Sequence, residues 1–212
     1  MDIKVNLSNI MLYTERLVLR SWRETDINDF YAYASQPGVG EMAGWPHHHS
    51  KRASKKILAA FINDKTAFAI VHRRDNRVIG SVGLHMSWTN DDNRYKHLRA
   101  KEIGYVLSKD YWGHGFTTEA VRVVIDFCFT DLDVDALACG HFVDNNRSRR
   151  VIEKCGFTYV MESEYYAKQL KQYFHAKRYI LMNTSEQHGA IPATQLLHHA
   201  HMPSLTAYTI NS

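Results

Sequence analysis

The sequence predicts one α/β or α+β domain over residues 1–182 and a tail of unknown role over residues 183–212. Segments rich in β-branched and aromatic residues alternate with segments whose apolar residues repeat every three or four positions. Strand-like segments in the middle of the chain predict a hairpin, and the second half contains a crossover from strand to helix to strand. A chain of 212 residues is long enough to bury a sizeable core. Its composition, 45% hydrophobic and 23% charged, is not typical of disordered or coiled-coil proteins.

The first half of the chain predicts three strands and two helices. The segment Leu12–Arg20 ends in Leu-Val-Leu and predicts a strand. A helix is predicted over Thr25–Ala34, because Thr25 or Asp26 can cap its start and its apolar residues repeat at helical spacing. After a loop punctuated by glycine and proline, the predicted elements are a helix over Ser50–Asn63 and hairpin strands over Ala67–Val71 and Val78–Leu84.

The second half predicts four strands and two helices, so that the whole domain has seven predicted strands. A long amphipathic helix follows the turn-rich segment SKDYWGHG at residues 108–115. A shorter helix over Asn146–Cys155 has Asp144 or Asn145 as its cap and Gly156 as its stop signal. The strands of this half are predicted over Ala100–Leu107, Ala136–Val143, Phe157–Tyr166 and Gln172–Met182.

Composition and charge argue against several classes of function. No apolar run approaches about eighteen residues, so the sequence predicts no membrane span. The first residues lack the pattern of a secretory signal, and we expect the protein in the cytoplasm. Three cysteines without metal-ligand spacing predict neither disulfides nor a thiolate metal site. The net charge of +4 comes mostly from scattered basic residues, so no nucleic-acid partner is predicted, although this charge suits a phosphorylated small ligand.

The segment WGHGFTT at residues 112–118 is the motif that points to chemistry. It joins a predicted strand to a predicted helix, and Gly113 and Gly115 allow a tight turn and a close approach of a ligand to the backbone. The first amides of the helix would then point at an anion, so the segment predicts a phosphate-binding turn. A sharp turn without a ligand is the alternative. The spacing of neither a nucleoside-triphosphate loop nor a dinucleotide fingerprint is present.

Four segments carry a resemblance to a known family. They are TERLVLR at 14–20, EIGYVL at 102–107, WGHGFTTEA at 112–120, and Asn145 through Ser148 to EKCGF at 153–157. In this order they resemble the GNAT family of acyl-CoA-dependent N-acetyltransferases, in particular the subgroup like the ribosomal-protein N-terminal alanine and serine acetyltransferases. The resemblance covers about Leu12 to Met182. The chain departs from the family at Ile152, where many members have a tyrosine.

The resemblance implies a mixed, mostly antiparallel sheet of about seven strands, splayed between the fourth and fifth, with flanking helices. It also implies acetyl-CoA as the co-substrate and an amine as the acceptor. The backbone of the fourth strand, here Tyr105, Val106 and Leu107, would bind the pantetheine arm, and Asn145 and Ser148 would face its thiol end. The residues of the turn whose main chain would hold the pyrophosphate are Trp112, Gly113, His114, Gly115, Phe116 and Thr117.

Glu102 is the candidate general base. An amine with a pKa of ~10 is mostly protonated at neutral pH, so acetyl transfer needs a group that removes its proton. Glu102 is flanked by Ile103 and Val106 on a strand predicted to be central, and partial burial would raise its pKa toward neutrality. The alternative is a structural carboxylate paired with an arginine or a lysine.

Ser148 is the candidate acid, because position 152 lacks the usual tyrosine. The resemblance implies that its hydroxyl can hydrogen-bond to the thiol sulfur. The alternative is a serine in the first turn of a helix that satisfies backbone amides. Asn145 has the alternative role of helix cap, which is compatible with a contact to the co-substrate.

The acceptor and two other functions stay open at this point. A protein N-terminus and a small molecule both fit a groove lined by loops, and a homodimer is allowed. The missing tyrosine makes a non-catalytic acyl-CoA-binding or regulatory module an alternative. His47, His48 and His49 suggest a metal-binding protein, but adjacent histidines point apart, so we predict no metal site.

Overall fold

The computed structural model describes residues 1–184, in which eight strands form one sheet flanked by four helices. The strands lie in the order β1-β2-β3-β4-β5-β6-β8-β7. Nearly all of the predicted tail, residues 185–212, lies outside the described part of the chain. The elements are β1 Leu12–Tyr13, β2 Leu17–Ser21, α1 Ile27–Ala34, α2 Lys51–Asp64, β3 Ala67–His72, β4 Arg77–His85, β5 Ala100–Leu107, α3 Phe116–Thr130, β6 Ala136–Phe142, α4 Asn146–Lys154, β7 Thr158–Ala167 and β8 Gln172–Met182.

The prediction of a single strand over Leu12–Arg20 is wrong. A tight turn divides this segment, because the Thr14 amide donates to the Leu17 carbonyl at 3.0 Å and the Leu17 amide donates to Thr14 Oγ1 at 2.9 Å. Strands β1 and β2 then pair antiparallel across the turn. The threonine hydroxyl competes with strand pairing for backbone groups. The described sheet therefore has eight strands where the sequence predicts seven.

The sheet opens between β5 and β6, which confirms the predicted splay. Among residues 1–184 these two strands form the only parallel pair, and they pair only between Ala100–Glu102 and Ala136–Ala138. Strand β5 continues to Leu107 and β6 to Phe142. A parallel pair needs a crossover connection, which α3 provides. The two strands therefore diverge beyond Glu102 and leave an opening in the middle of the sheet.

Helices cover the two faces of the sheet unequally. On one face, α3 and α4 bury a large apolar cluster that includes Ile103, Val124 and Ile152. On the other face, α1 and α2 bury a smaller cluster around Phe30 and Leu58, and its buried strand residues come from β3 and β4. We refer to these as the α3–α4 face and the α1–α2 face. Burial of both clusters holds the opening between β5 and β6 in a rigid frame.

None of the helices within residues 1–184 has the length and apolar character needed to cross a membrane.

Candidate active site

The turn that the sequence predicts to bind phosphate has the tight glycine conformations expected of it. Gly113 and Gly115 have φ angles of +83° and +81°, which other residues rarely adopt. A Cβ atom on Gly113 would meet nothing within 4 Å, and one on Gly115 would meet only Arg16, at 3.7 Å. Helix α3 begins at Phe116, so its first amides have no partner within the helix. The turn therefore offers backbone donors with open space around its two glycines.

Glu119 in the first turn of α3 fixes this turn to the start of the sheet. It accepts hydrogen bonds from Thr14 Oγ1 at 2.6 Å and from the Arg16 amide and Nε at 3.0 and 2.8 Å. Arg16 also donates to the His114 carbonyl at 3.1 Å, and its guanidinium lies 4.4 Å from the centre of the Phe116 ring. From the amphipathic pattern, the sequence predicts no more than that Glu119 lies on the polar face of this helix. Its partners lie more than a hundred positions away, and the pattern contains no sign of them.

A cleft of about 540 Å³ adjoins the turn on the side of Arg16 and the hairpin between β3 and β4. Its walls carry both signs of charge, with three arginines, three carboxylates and two histidines. The lining residues are Glu15, Arg16, His72, Arg73, Arg74, Asp75, Asp110, Tyr111, His114 and Phe116. His114 and Phe116, two residues of the turn, thus also line this cleft.

The edge of β5 that faces β6 is accessible around Tyr105. The carbonyl of Ile103 accepts a hydrogen bond from Cys139 Sγ of β6 at 3.3 Å, and the carbonyl of Leu107 accepts one from Trp112 Nε1 at 2.9 Å. Backbone groups of alternate residues point to the same side of a strand, so those of Tyr105 face the opening between these two contacts. The Leu107 carbonyl predicted to bind pantetheine is already occupied by the Trp112 indole.

Trp112 lies at the mouth of the opening. The Arg147 guanidinium lies 4.2 Å from the centre of its ring, and the Lys109 ammonium lies 5.6 Å from it. A cation over the face of an indole is attracted by the negative charge of the ring face. Trp112 therefore holds two positive charges beside the predicted phosphate-binding turn. Its indole N–H also occupies the Leu107 carbonyl at the end of β5. The sequence indicates only a main-chain role for this residue.

Asn145 and Ser148 occupy the first turn of α4, across the opening from β5. Asn145 Oδ1 accepts a hydrogen bond from the Ser148 amide at 3.1 Å, which makes Asn145 the cap of the helix. Ser148 Oγ lies 2.8 Å from the phenol oxygen of Tyr105, and that phenol also donates to the Ser148 carbonyl at 3.2 Å. Position 152 has no hydroxyl, and Ile152 is buried in the core. The tyrosine that approaches Ser148 comes from β5 instead.

Glu102 lies at the end of the β5–β6 pairing, where the opening begins. Its Oε1 accepts a hydrogen bond from the Arg178 guanidinium at 3.0 Å, and its Oε2 accepts one from the Trp88 amide at 3.3 Å. Both side chains of the ion pair are largely buried, with 20% of Glu102 and 16% of Arg178 exposed. Burial raises the pKa of Glu102 above its usual value, while the charge of Arg178 and the two hydrogen bonds oppose that rise. Glu102 therefore has both the arginine partner expected of a structural carboxylate and the raised pKa expected of a general base.

Two residues beside Glu102 are not indicated by the sequence pattern. His85 is the cross-strand partner of Glu102 and lies on the same α1–α2 face of the sheet. A Cβ atom on Gly83 or Gly104 would come within 2.8 or 3.1 Å of the His85 ring, so the two glycines make room for it. Arg178, from β8, is the second. No local signal could identify either residue, because strand register brings them together.

Gly140 and Ser163 orient the Arg178 side chain. A Cβ atom on Gly140 would lie 3.3 Å from Arg178 Nη1, so the absence of a side chain there lets the guanidinium cross β6 toward Glu102. Arg178 Nε donates to Ser163 Oγ at 2.9 Å. Three strands therefore determine where this guanidinium lies.

The loop of residues 36–49 reaches the same opening. Asn145 Nδ2 donates to the Met42 carbonyl at 3.4 Å, and a Cβ atom on Gly44 would lie 3.2 Å from the Tyr165 ring of β7. Within the loop, Glu41 Oε1 pairs with His47 Nδ1 at 2.7 Å. His48 Nδ1 of the loop lies 2.7 Å from Ser54 Oγ in α2. The described residues contain no group of three or more potential ligands that could hold a metal ion. The loop therefore borders the opening between β5 and β6.

The comparisons with known proteins agree on a family. Residues 16–158 match the family described as the acetyltransferase (GNAT) domain. A Bacillus subtilis (strain 168) protein named uncharacterized N-acetyltransferase YoaA is 30% identical over 152 residues, which cover 69% of this chain and 82% of that protein. The match extends from β2 to the start of β7. It therefore includes the turn at residues 112–117 and also β5 and α4, which lie on the two sides of the opening.

Solved structures share the fold at low sequence identity. A ribosomal-protein-S5-alanine acetyltransferase from Vibrio fischeri superposes with a TM-score of 0.64 at 19% identity, covering 84% of this chain and 98% of that one. A spermidine N-acetyltransferase from Vibrio cholerae, in complex with CoA and spermine, superposes with a TM-score of 0.63 at 18% identity, covering 80% and 97% of the two chains.

Proposed function

Because the chain belongs to the acetyltransferase (GNAT) family and is an acyltransferase, we propose that it transfers an acetyl group from acetyl-CoA to a primary amine. The amine belongs to a protein N-terminus or to a small molecule, and it attacks directly while both substrates are bound. The observation that carries the proposal is the divergence of β5 from β6 directly after Glu102. That divergence brings a free strand edge and a largely buried carboxylate to one opening.

The binding half of the opening suits a long ligand with phosphates at one end and amides along its length. Acetyl-CoA has this composition and supplies the acetyl group as a thioester. The backbone of Tyr105 in β5, between the occupied carbonyls of Ile103 and Leu107, offers an edge for amide hydrogen bonds. The turn from Trp112 to Thr117 offers helix N-terminal amides for the pyrophosphate, with Arg147 and Lys109 nearby to balance its charge.

The catalytic half contains the group that accepts a proton from the amine. Glu102 has a raised pKa, which makes it a stronger base than an exposed carboxylate. Arg178 opposes the rise in the pKa, because its positive charge and its hydrogen bond favour the ionised carboxylate. Asn145 holds the start of α4 in place and leaves Ser148 in the first turn, where its hydroxyl is a donor for the leaving sulfur.

A turnover screen with acetyl-CoA tests the proposal. The full chain is incubated with acetyl-CoA and a panel of amines that includes peptides with free N-termini, polyamines, aminoglycosides and free amino acids. Thiol release is followed together with the mass of the acetylated product. We expect turnover with at least one amine and much less turnover in Glu102→Gln. Tight binding of acetyl-CoA without turnover across the panel would favour the non-catalytic acyl-CoA-binding module instead.

A further inference from the structure

Tyr105 connects the two walls of the opening. Its backbone belongs to β5, and its phenol oxygen lies 2.8 Å from Ser148 Oγ and 3.2 Å from the Ser148 carbonyl in α4. Strands β5 and β6 have already separated at this level, so the contact spans the gap that they leave. The phenol is partly buried and lies on the α3–α4 face, among core residues rather than in bulk solvent.

Two hydrogen-bond arrangements satisfy these distances. A serine hydroxyl donates one hydrogen and accepts up to two, and so does a phenol. In the first arrangement Tyr105 donates its hydrogen mainly to Ser148 Oγ and shares it with the Ser148 carbonyl in a three-centre bond, and the Ser148 hydrogen stays free for another acceptor. In the second, Tyr105 donates to the Ser148 carbonyl and Ser148 donates to Tyr105, so that the Ser148 hydrogen is consumed. The shorter distance, 2.8 Å, is the one to Oγ.

We propose that Tyr105 is a positioning residue for acetyl transfer, and that its phenol donates to Ser148 Oγ so that the Ser148 hydrogen is available to the departing sulfur. This inference rests on the proposed function. It gives a physical reason why the chain can do without a tyrosine at position 152: the phenol acts through Ser148 from the opposite wall.

Tyr105 neither gains nor loses a proton during the reaction. The new C–N bond forms as the C–S bond breaks, and the electron pair of the broken bond stays on sulfur. Ser148 donates a hydrogen bond to that sulfur, which afterwards takes a proton from solvent. Glu102 holds the proton that the amine loses. Burial raises the pKa of Tyr105 well above that of a free tyrosine, so its phenol stays protonated and remains a donor throughout.

Tyr105→Phe tests the inference because it removes one oxygen atom and retains the ring. The matched control is Tyr179→Phe, which removes another phenol with a buried partner, His141 Nε2 at 3.1 Å, outside the opening. Two quantities are measured: kcat and KM with acetyl-CoA, and the pKa of the CoA thiol in the protein–CoA complex, followed by thiolate absorbance. Burial raises the pKa of Cys155 to about 11 and that of Cys139 further, so these thiols stay silent near neutral pH.

We expect Tyr105→Phe and Ser148→Ala each to lower kcat about tenfold with little change in KM, and to raise the pKa of the bound thiol by about 1. The double variant should lose no more than either single one. Unchanged or faster turnover in Tyr105→Phe would overturn the inference and favour the second arrangement. So would a Ser148→Ala protein with an unchanged thiol pKa, even if Tyr105→Phe failed to fold. A wild-type protein without turnover would instead remove the proposed function.

Discussion

The two halves of the opening between β5 and β6 are lined by different kinds of chemical group. The binding half consists of main-chain groups, namely the amides at the start of α3 and the edge of β5 at Tyr105. The proposed catalytic half consists of side chains, with Glu102 held by Arg178 and Ser148 in contact with Tyr105. A side-chain substitution changes a main-chain site only through conformation, whereas it can delete a side-chain site outright. The two halves should therefore respond to mutation in different ways.

The largest effect is expected in the catalytic half. Glu102→Gln should lower kcat about 10²-fold at neutral pH, because it removes the only carboxylate that the account assigns to the amine proton. The KM for acetyl-CoA should change little. Steady-state kinetics with a fixed amine measure both, and Glu153→Gln in α4 is a matched control because Glu153 is 55% exposed. Equal losses in the two variants would contradict the assignment.

A smaller effect of a different kind is expected in the binding half. Gly115→Ala should raise the KM for acetyl-CoA about tenfold, because its φ of +81° strains any side chain and shifts the amides of the turn. Gly156→Ala is the control, since Gly156 has a φ of +82° and a similarly open Cβ position. Both variants should lose a similar free energy of unfolding. Unchanged acetyl-CoA affinity in a folded Gly115→Ala protein would remove the turn from the binding site.

The Arg178–Glu102 pair provides a test within the catalytic half. The ionised form of Glu102 is the proposed base, so activity should rise with pH through the pKa of Glu102. Arg178 lowers that pKa against the effect of burial, and Arg178→Met should therefore move the rise in kcat/KM to higher pH. We expect kcat/KM to fall about fivefold at neutral pH and to recover at higher pH. A uniform loss at every pH would mean that Arg178 acts on the structure of the groove and not on the base.

The smallest effect is expected at Thr117. Its side chain stands in the phosphate-binding turn, but the proposed contacts use the main chain, so Thr117→Ala should change the KM for acetyl-CoA by less than about twofold. The same assay as for Gly115→Ala measures it. A large rise in KM would show that the threonine hydroxyl itself binds the phosphates, and the distinction between the two halves would then fail at this position.

The same distinction explains how far the sequence could predict the site. The turn lies in one continuous segment, and its glycines, its helix start and its place after a strand are all visible in the order of residues. The helices, the later strands and the splay follow from periodicity and from the resemblance to the family. Glu102 and Ser148 were recognisable as candidates for the same reason.

The partners of these residues could not be predicted from the sequence. Arg178 is separated from Glu102 by 76 positions, and Tyr105 from Ser148 by 43. Such contacts depend on strand register, and a shift of one residue would turn every side chain of a strand to the other face. The turn at Thr14 was missed for a different reason, since two local hydrogen bonds between Thr14 and Leu17, one of them to the threonine hydroxyl, end one strand before the next begins.

The pH dependence of the Glu102→Gln defect tests the central claim most directly. The ratio of wild-type to variant kcat is measured from neutral pH to about pH 9.5, with folding checked at each pH. If Glu102 removes the amine proton, the ratio should start near 10² and shrink as the pH approaches the amine pKa, because the free amine needs no base. A ratio that stays constant over this range would contradict the account and give Glu102 a structural or positioning role.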